Sequence, residues 1–431
     1  MTAEEPTGLA LLARKVRSAR HLVRHRGGRA VARAWNVSLK HGRHYGMRFW
    51  RAWRIVTEKV RNVRLTLVNL ARLSWRRLLT VHKPLVRLWR RRERAREQVE
   101  TQRFEAGVER DVRRRIAEGR PLILGPWISE VGFEVLYWVP FLRWLRAEAN
   151  WDPSRALAIS RGGVRSWYRG LADQYVELFE QMTPSEFAVR NEARRAAGEG
   201  SHKQLALSEL DAALVAVARA RPGFADAVVV HPSDMYQLFR QFWLGHRGPS
   251  FVQERTRFTR LEGPGAFNLS RLPADFVAVK AYTAQSLPDS PANRAVLRSV
   301  IATLAAHTDV VTLDTGLAVD DHADYELERH PRVHNLAGLL TPANNLELQT
   351  EVMARARGFV GTCGSLTWLA PMLGVPTVAL FSDARFLHAH LYLARKVYLD
   401  MGAAPFQTVD VTAAGTLGID LAAVAGRATR V

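Results

Sequence analysis

The stretch FVGTCGSLTWLAPMLGVPTVALFSD, residues 359–383, decides how the rest of the chain is understood. From Phe359 to Ser382 it has no charged side chain, and it exceeds the roughly 20 residues a membrane-spanning helix needs. Gly361, Gly364, Pro371, Gly374 and Pro376 punctuate it, which a spanning helix would not tolerate. The pattern predicts a strand ending at Phe359-Val360, a tight Gly361–Ser365 loop and one short helix from Leu366 to Leu373. A Gly374-Val375-Pro376 turn and a second strand from Thr377 to Phe381 complete it. This is core α/β structure.

Working outward, the same texture begins at Pro121. Strands are expected in PLILGPW, RALAIS, DAVVVHP, FVAVKAY and DVVTLD, and helices in VLYWVPFLRWLRAEA, PANRAVLRSVIATLAAH and NNLELQTEVMARA. Alternation of strand and helix implies parallel sheets. Residues 263–273, GPGAFNLSRLP, have a linker composition, so two domains facing a cleft are expected: 119–268 and 269–431. Thr183 to Lys203 is polar and reads as an irregular surface excursion.

Before that body lies a region of different chemistry. Residues 1–120 hold 32 Lys+Arg and 10 Asp+Glu, while the other 311 residues hold 30 and 31. The net charge of +21 therefore belongs to the N-terminal region, taken as 1–118. Trp53, Val56, Val60, Val63, Leu67 and Leu70 recur at helical spacing with arginines beside them. Pro84 is expected to break this helix, with a second helix running to about Glu118. Such helices suit an anionic membrane surface, and alternatively a coiled coil or packing on the body. Nucleic acid is disfavoured, because no fold signature for it is present. The acidic start MTAEEPTGLALLARK is a poor secretory signal, and one cysteine, Cys363, permits no intrachain disulfide. A cytoplasmic location, peripheral on the inner face of the membrane, is expected. The Ala- and Arg-rich composition suggests a GC-rich bacterial genome.

Ligands of parallel α/β sheets bind beyond the carboxyl ends of the strands. That rule selects five loops: Ser129–Glu134, Arg161–Gly163, His231–Tyr236, Lys280–Ser286 and Gly361–Thr367. The last has glycines for close backbone approach and Ser365 and Thr367 as caps, suiting a phosphate. It is neither GxxxxGK[ST] nor GxGxxG, so no P-loop or dinucleotide fingerprint is present.

Residues 359–383 resemble the donor-binding segment of GT-B glycosyltransferases, and most of all the lipopolysaccharide heptosyltransferases. In those, a glycine, a serine or threonine and a small-residue helix precede LG-x-P-x-V-x-L-F. Fucosyltransferase-like proteins have a similar run. Glu130-Val131-Gly132-Phe133-Glu134, followed by YWVPFLRWLR, resembles the acidic glycine loop and helix that open heptosyltransferase-like domains. The resemblance follows the element order over residues 121–400 and is specific over residues 359–383.

It implies two Rossmann-like domains and sugar transfer from a nucleotide-sugar, with no other cofactor. The diphosphate would lie on the backbone of Thr362, Gly364, Ser365 and Leu366, with Gly361, Thr367 and Tyr282 alongside and Lys280 neutralising charge. An inverting transfer needs a base for the acceptor hydroxyl. Glu130 is the first choice, Glu134 the second and Asp234 the reserve; Gly132, Arg161 and His231 would contact the acceptor. The acceptor itself is expected to be a glycan or lipid-linked. Competing readings are a sugar-nucleotide epimerase or hydrolase of the same shape, and a non-catalytic scaffold that self-associates through its N-terminal helices.

Asp320-Asp321-His322-Ala323-Asp324 looks metal-like but reads as a solvated loop, so no metal is expected. His388 and His390 stand two apart, the wrong spacing for one helix face. Cys363 precedes a helix, a position that can lower a thiol pKa, yet no histidine pairs with it in the sequence. No G-x-S-x-G elbow occurs.

Overall fold

A computed structural model describes residues 46–197, 203–317, 323–325, 330–336 and 338–412. The chain divides into two compact units, residues 1–99 and 100–431.

The first described element is α1 (Gly46–Ala117). It is continuous, so the expected break at Pro84 does not occur. A proline removes one backbone hydrogen bond, and the leucine-, arginine- and tryptophan-rich turns on both sides propagate past it. Within the first unit, Trp53, Val56, Val60, Val63, Leu67 and Leu70 are all exposed, as are Ile55, Leu65, Val68, Leu73 and Trp75. Among the described residues no helix is long and apolar enough to cross a membrane.

The second unit opens with the last turns of α1, where Val112 and Ile116 enter the core and Glu105 pairs with Arg247. Its first sheet contains β1 (Leu122–Leu124), β2 (Ala156–Ser160), β3 (Gln174–Glu177) and β4 (Val228–Val230), in the order β3-β2-β1-β4. Its helices are α2 (Val139–Ala149), α3 (Pro184–Ala197), α4 (Glu209–Arg219) and α5 (Pro232–Trp243). A π-helical turn, Glu134–Trp138, leads into α2. The second sheet contains β5 (Phe276–Lys280), β6 (Asp309–Thr312), β7 (Val333–Asn335), β8 (Gly358–Thr362), β9 (Thr377–Phe381) and β10 (Phe406–Asp410). Its order is β10-β9-β8-β5-β6-β7, with helices α6 (Pro291–His307), α7 (Asn345–Arg355) and α8 (His388–Asp400).

Every strand pairing is parallel. LIL, ALAIS and FVAVK read as unbroken apolar runs because parallel strands are covered by helices on both faces. The fold is thus the expected α/β arrangement of two parallel sheets, each Rossmann-like.

Three local expectations change. Of the stretch Thr183–Lys203, the part from Pro184 to Ala197 is helix α3, which starts on a reciprocal cap between Thr183 and Glu186; residues 198–202 lie outside the described residues. The segment Leu366–Leu373 is two 3-10 turns, Ser365–Trp368 and Ala370–Leu373, not one helix. Pro371 withholds a backbone donor there, and Gly374, in the left-handed region at φ 83°, closes the second turn. The short strands β3, β7 and β10 were not anticipated.

Candidate active site

The loops at the carboxyl ends of both sheets enclose a cleft of 1260 Å³. The first sheet contributes Ile128–Phe133 after β1 and Arg161 after β2, with the ends of α3 and α5. The second contributes Tyr282–Ser286 after β5, Cys363–Ser365 after β8, and the start of α8.

The two halves touch at glycine. A Cβ on Gly132 would lie 3.0 Å from the Ser365 backbone nitrogen and 3.3 Å from the Trp368 ring. The missing side chain lets the acidic loop lie close against the Gly364–Ser365 turn without displacing it. That turn is itself shaped by necessity: Gly364 has φ 143°, and a Cβ there would meet Tyr282 Oη at 2.8 Å. Ser365 is left-handed at φ 40°. Non-glycine residues held in that region cluster at functional sites.

The carboxylates proposed as base separate clearly. Glu130 is exposed on the cleft wall. Glu134 is fully buried below the wall, accepting hydrogen bonds from Ser160 Oγ (2.6 Å) and Tyr168 Oη (2.7 Å). Burial pushes its carboxyl up to about 7. Its other oxygen, Oε2, has no hydrogen-bond partner among the described residues. Asp234 also leaves the list: it accepts from Arg115 at 2.8 Å and from the His231 backbone N–H at 3.2 Å, capping α5.

His231 belongs to the same cap. Its Nδ1 accepts from the Ser233 backbone N–H at 3.1 Å, and its Nε2 lies 3.3 Å from buried Asp211. It does not reach the cleft. Arg161 does, with its guanidinium donating to the Ser129 carbonyl at 3.0 Å.

The proposed donor group divides in the same way. Tyr282, Gly364 and Ser365 line the cleft; Lys280, Gly361, Thr362, Leu366 and Thr367 do not. Lys280 turns away to Asp324 (2.6 Å) and the Leu313 carbonyl (2.9 Å). Beside it, burial and then the Asp324 charge push Asp314 up to about 6. Thr362 is buried and pins the Tyr282 backbone, donating to its carbonyl (2.8 Å) and accepting its N–H (3.0 Å). Thr367 Oγ1 accepts the Gly364 N–H at 2.8 Å, so that amide serves the turn. Gly361 lets β8 approach β5: a Cβ there would meet the Lys280 carbonyl at 2.7 Å. Leu366 is core.

Cys363 is buried, which pushes its thiol up to about 12, opposite to the lowering its place before a helix suggested. Of the acidic stretch, Asp320, Asp321 and His322 lie outside the described residues, and Asp324 is the partner of Lys280. No group of three or more metal-ligand side chains occurs among the described residues.

Sequence reasoning overlooked two wall residues. Lys203 sits with its ammonium 4.8 Å from the Trp243 ring centre and 5.4 Å from that of Phe133. Burial lowers its pKa, and the Glu130 charge opposes this. His390 places Nδ1 2.6 Å from Tyr137 Oη. Burial, then Lys203, push its imidazole down to about 4, so it is neutral at pH 7. Nothing local marks Lys203. His390 was visible in the sequence, but helix-face spacing is the wrong test for a side chain whose partners come from another sheet.

No protein-family model matches this chain, and no curated protein matches it. Solved structures share its general form. The glycosyl transferase family 9 protein of Veillonella parvula DSM 2008 is 15% identical, with a TM-score of 0.38, over 69% of this chain and 88% of that one. The iron-containing dodecameric glycosyltransferase TibC of enterotoxigenic E. coli H10407 is 13% identical, with a TM-score of 0.32, over 61% and 58%. The UDP-GlcNAc 2-epimerase of Methanocaldococcus jannaschii is 11% identical, with a TM-score of 0.27, over 69% and 92%. At these values the likenesses carry no argument about function, which rests on the cleft itself.

Proposed function

We propose that this chain is an inverting glycosyltransferase that moves a sugar from a nucleotide-sugar to a glycan or lipid-linked acceptor at a membrane surface. The observation that carries this reading is the meeting of an exposed carboxylate loop, Glu130–Gly132, with the Gly364–Ser365 turn inside one cleft at the strand ends of two parallel sheets. The volume of 1260 Å³ exceeds the roughly 300–1,000 Å³ of a single small-molecule pocket and leaves room for donor and acceptor together.

In the reaction, the Glu130 carboxylate takes the proton of the acceptor hydroxyl as that oxygen attacks the anomeric carbon. The bond from that carbon to the diphosphate oxygen breaks, and its electron pair leaves with the nucleoside diphosphate. Attack and departure on opposite faces invert the configuration. Tyr282, Gly364 and Ser365 hold the donor side, and Gly132 and Arg161 the acceptor side. All these groups come from the chain, so the scheme assigns no metal or cofactor.

The N-terminal unit supports placement on the cytoplasmic face of a membrane, because exposed tryptophans and aliphatics share a helix with the excess arginine.

Thermal shift of the full chain against UDP, GDP, ADP, CMP and dTDP tests the donor site. Ligand at 100 times its Kd adds about 2.7 kcal/mol, a visible rise in Tm. Selective stabilisation by one nucleotide is expected. Silence across the panel would overturn the reading in favour of a scaffold, and turnover of the nucleotide-sugar without acceptor would favour an epimerase or hydrolase.

A further inference from the structure

His390 is the third residue of α8, in the half of the cleft that holds the Gly364–Ser365 turn, yet its ring is fixed by the opposite half. Phe133 and Tyr137 meet it edge to face, at centroid distances of 5.2 Å and 5.5 Å. Tyr137 Oη lies 2.6 Å from its Nδ1.

Protons can be placed on that contact. Tyr137 is fully buried, and burial raises its phenol pKa, so the phenol keeps its hydrogen. His390 Nδ1 lies within hydrogen-bond distance of that hydroxyl, and the hydroxyl's other side-chain neighbour in hydrogen bonding, Trp243, can only donate. A buried O–H gives its hydrogen to the acceptor within reach. Nδ1 is then the acceptor, and the neutral imidazole carries its own hydrogen on Nε2. Nε2 makes no hydrogen bond among the described residues, and the His390 side chain lines the cleft. The result is an oriented, uncharged N–H donor. It cannot act as a base at Nε2, which already holds a proton.

The electrostatic setting selects an anionic oxygen as its partner. The Lys203 charge acts on both Glu130 and His390, so the imidazole is close enough to a cation to feel its field. A neutral donor next to an ammonium group favours a phosphoryl oxygen over an uncharged hydroxyl.

We propose that His390 is a substrate-binding residue whose Nε2–H, aimed by Tyr137, donates to a diphosphate oxygen of the nucleotide-sugar and steadies it as the bond to the sugar breaks. The proposal rests on the glycosyltransferase reading. No proton moves through His390: the acceptor proton goes to Glu130, and the electron pair of the broken bond goes to the leaving diphosphate. Tyr137 is the positioning residue.

The test uses the full chain with ¹⁵N-labelled histidine and inorganic pyrophosphate as probe. At neutral pH the His390 resonances should show an unprotonated Nδ1 and a protonated Nε2. Tyr137→Phe, which removes the O–H that holds Nδ1 as acceptor, should mix the two tautomers. Pyrophosphate should shift the Nε2 resonance in the wild type. His390→Ala should weaken pyrophosphate binding about tenfold or more, the loss of one hydrogen bond to a charged group. His390→Gln, which keeps an N–H donor, should recover part of it.

A wild-type His390 protonated on Nδ1, pyrophosphate affinity unchanged in a folded His390→Ala, or no pyrophosphate binding by the wild type would each overturn the proposal. Acceptor-dependent turnover of the nucleotide-sugar is measured separately. Turnover together with any of those results sinks only the role of His390, whereas absent turnover with pyrophosphate bound at His390 sinks the transferase reading.

Discussion

The two units of this chain use similar residues for opposite ends. Residues 1–99 hold 26 of the 62 Lys+Arg and 5 of the 41 Asp+Glu, leaving 36 of each for residues 100–431. The whole net charge of +21 lies in the first unit, and the second is neutral. Trp53, Trp75 and Trp89 are 40–62% exposed, while Trp127, Trp138, Trp167 and Trp368 are all at 4% or less. In the second unit, helices pack on sheets and bury their apolar faces. In the first, the described apolar side chains of α1 are exposed, a surface of the kind that marks an interaction site. An isolated helix gains most of its stability from tertiary packing, not from propensity. The lesson is that one unit is specified by its own core, while the described part of the other leaves the same residue types exposed.

Removing residues 1–99 is the strongest way to break that contrast. Each Lys or Arg that reaches an anionic surface is worth about 1 kcal/mol, so four engaged side chains amount to roughly a thousandfold in partition. The shortened chain should lose binding to phosphatidylserine vesicles and keep its nucleotide-dependent Tm shift. The cut is set before Glu105, Val112 and Ile116, which belong to the body's ion pairs and core. Undiminished vesicle binding would move the membrane contact to the neutral unit.

The next effect lies inside the body, where charge is scarce and costly. Glu134 has an ordinary value of 4.5 and is raised to about 7 by burial. The folded state therefore holds a proton that the unfolded chain has released. The associated stability is complete below pH 4.5 and is lost as pH rises through 7. Two to three pH units at about 1.4 kcal/mol each give about 3 kcal/mol. Denaturant unfolding at pH 5 and pH 8 should show the wild type losing that much more than Glu134→Gln. His390, shifted the opposite way by causes that do not include Glu134, contributes equally to both proteins and drops out of the difference. Equal pH dependence in the two would show that Glu134 is ionised in the folded state.

Glu130 supplies the contrast within the first sheet: the same residue type, four positions away, exposed in place of buried. Glu130→Gln should lower turnover by roughly 10² or more and leave donor affinity unchanged. Full activity would remove the base from this loop.

How much of this could be read in the sequence follows from where each interaction originates. Strands β1, β2, β5, β8 and β9 announced themselves as apolar runs, since parallel pairing buries both faces. The Gly132 and Gly364 loops were found because glycine marks places where backbones meet. Edge strands such as β10, FQTVD, are half-exposed and mixed in character, so periodicity did not reveal them. Helix α3 was legible and missed: Thr183-Pro184-Ser185-Glu186 carries both a reciprocal cap and a proline suited to a first turn. Lys280, His231 and Asp234 have the right residue types at the right strand ends. Their side chains turn into local pairs and caps, a choice made by rotamers and neighbours that no spacing encodes. The Glu130–Lys203–His390 grouping draws on three segments far apart in the chain, and only the packed sheets bring it together.

The smallest expected effect is also the finest test of the Gly364–Ser365 turn. Ser365 is left-handed at φ 40°, a conformation that costs an L-residue about 1–2 kcal/mol. Glycine relieves that strain but loses about 0.5–1 kcal/mol of backbone entropy on folding. Ser365→Gly should therefore stabilise the fold by less than about 1 kcal/mol, seen as a small rise in Tm. If the turn were only a connection between β8 and β9, donor affinity would be untouched and the substitution would be a simple gain. If the strain is kept because the serine side chain meets the donor, nucleotide affinity should fall while Tm rises. Stability and binding moving in opposite directions would place the cost of this conformation at the ligand; movement together would return the turn to the core.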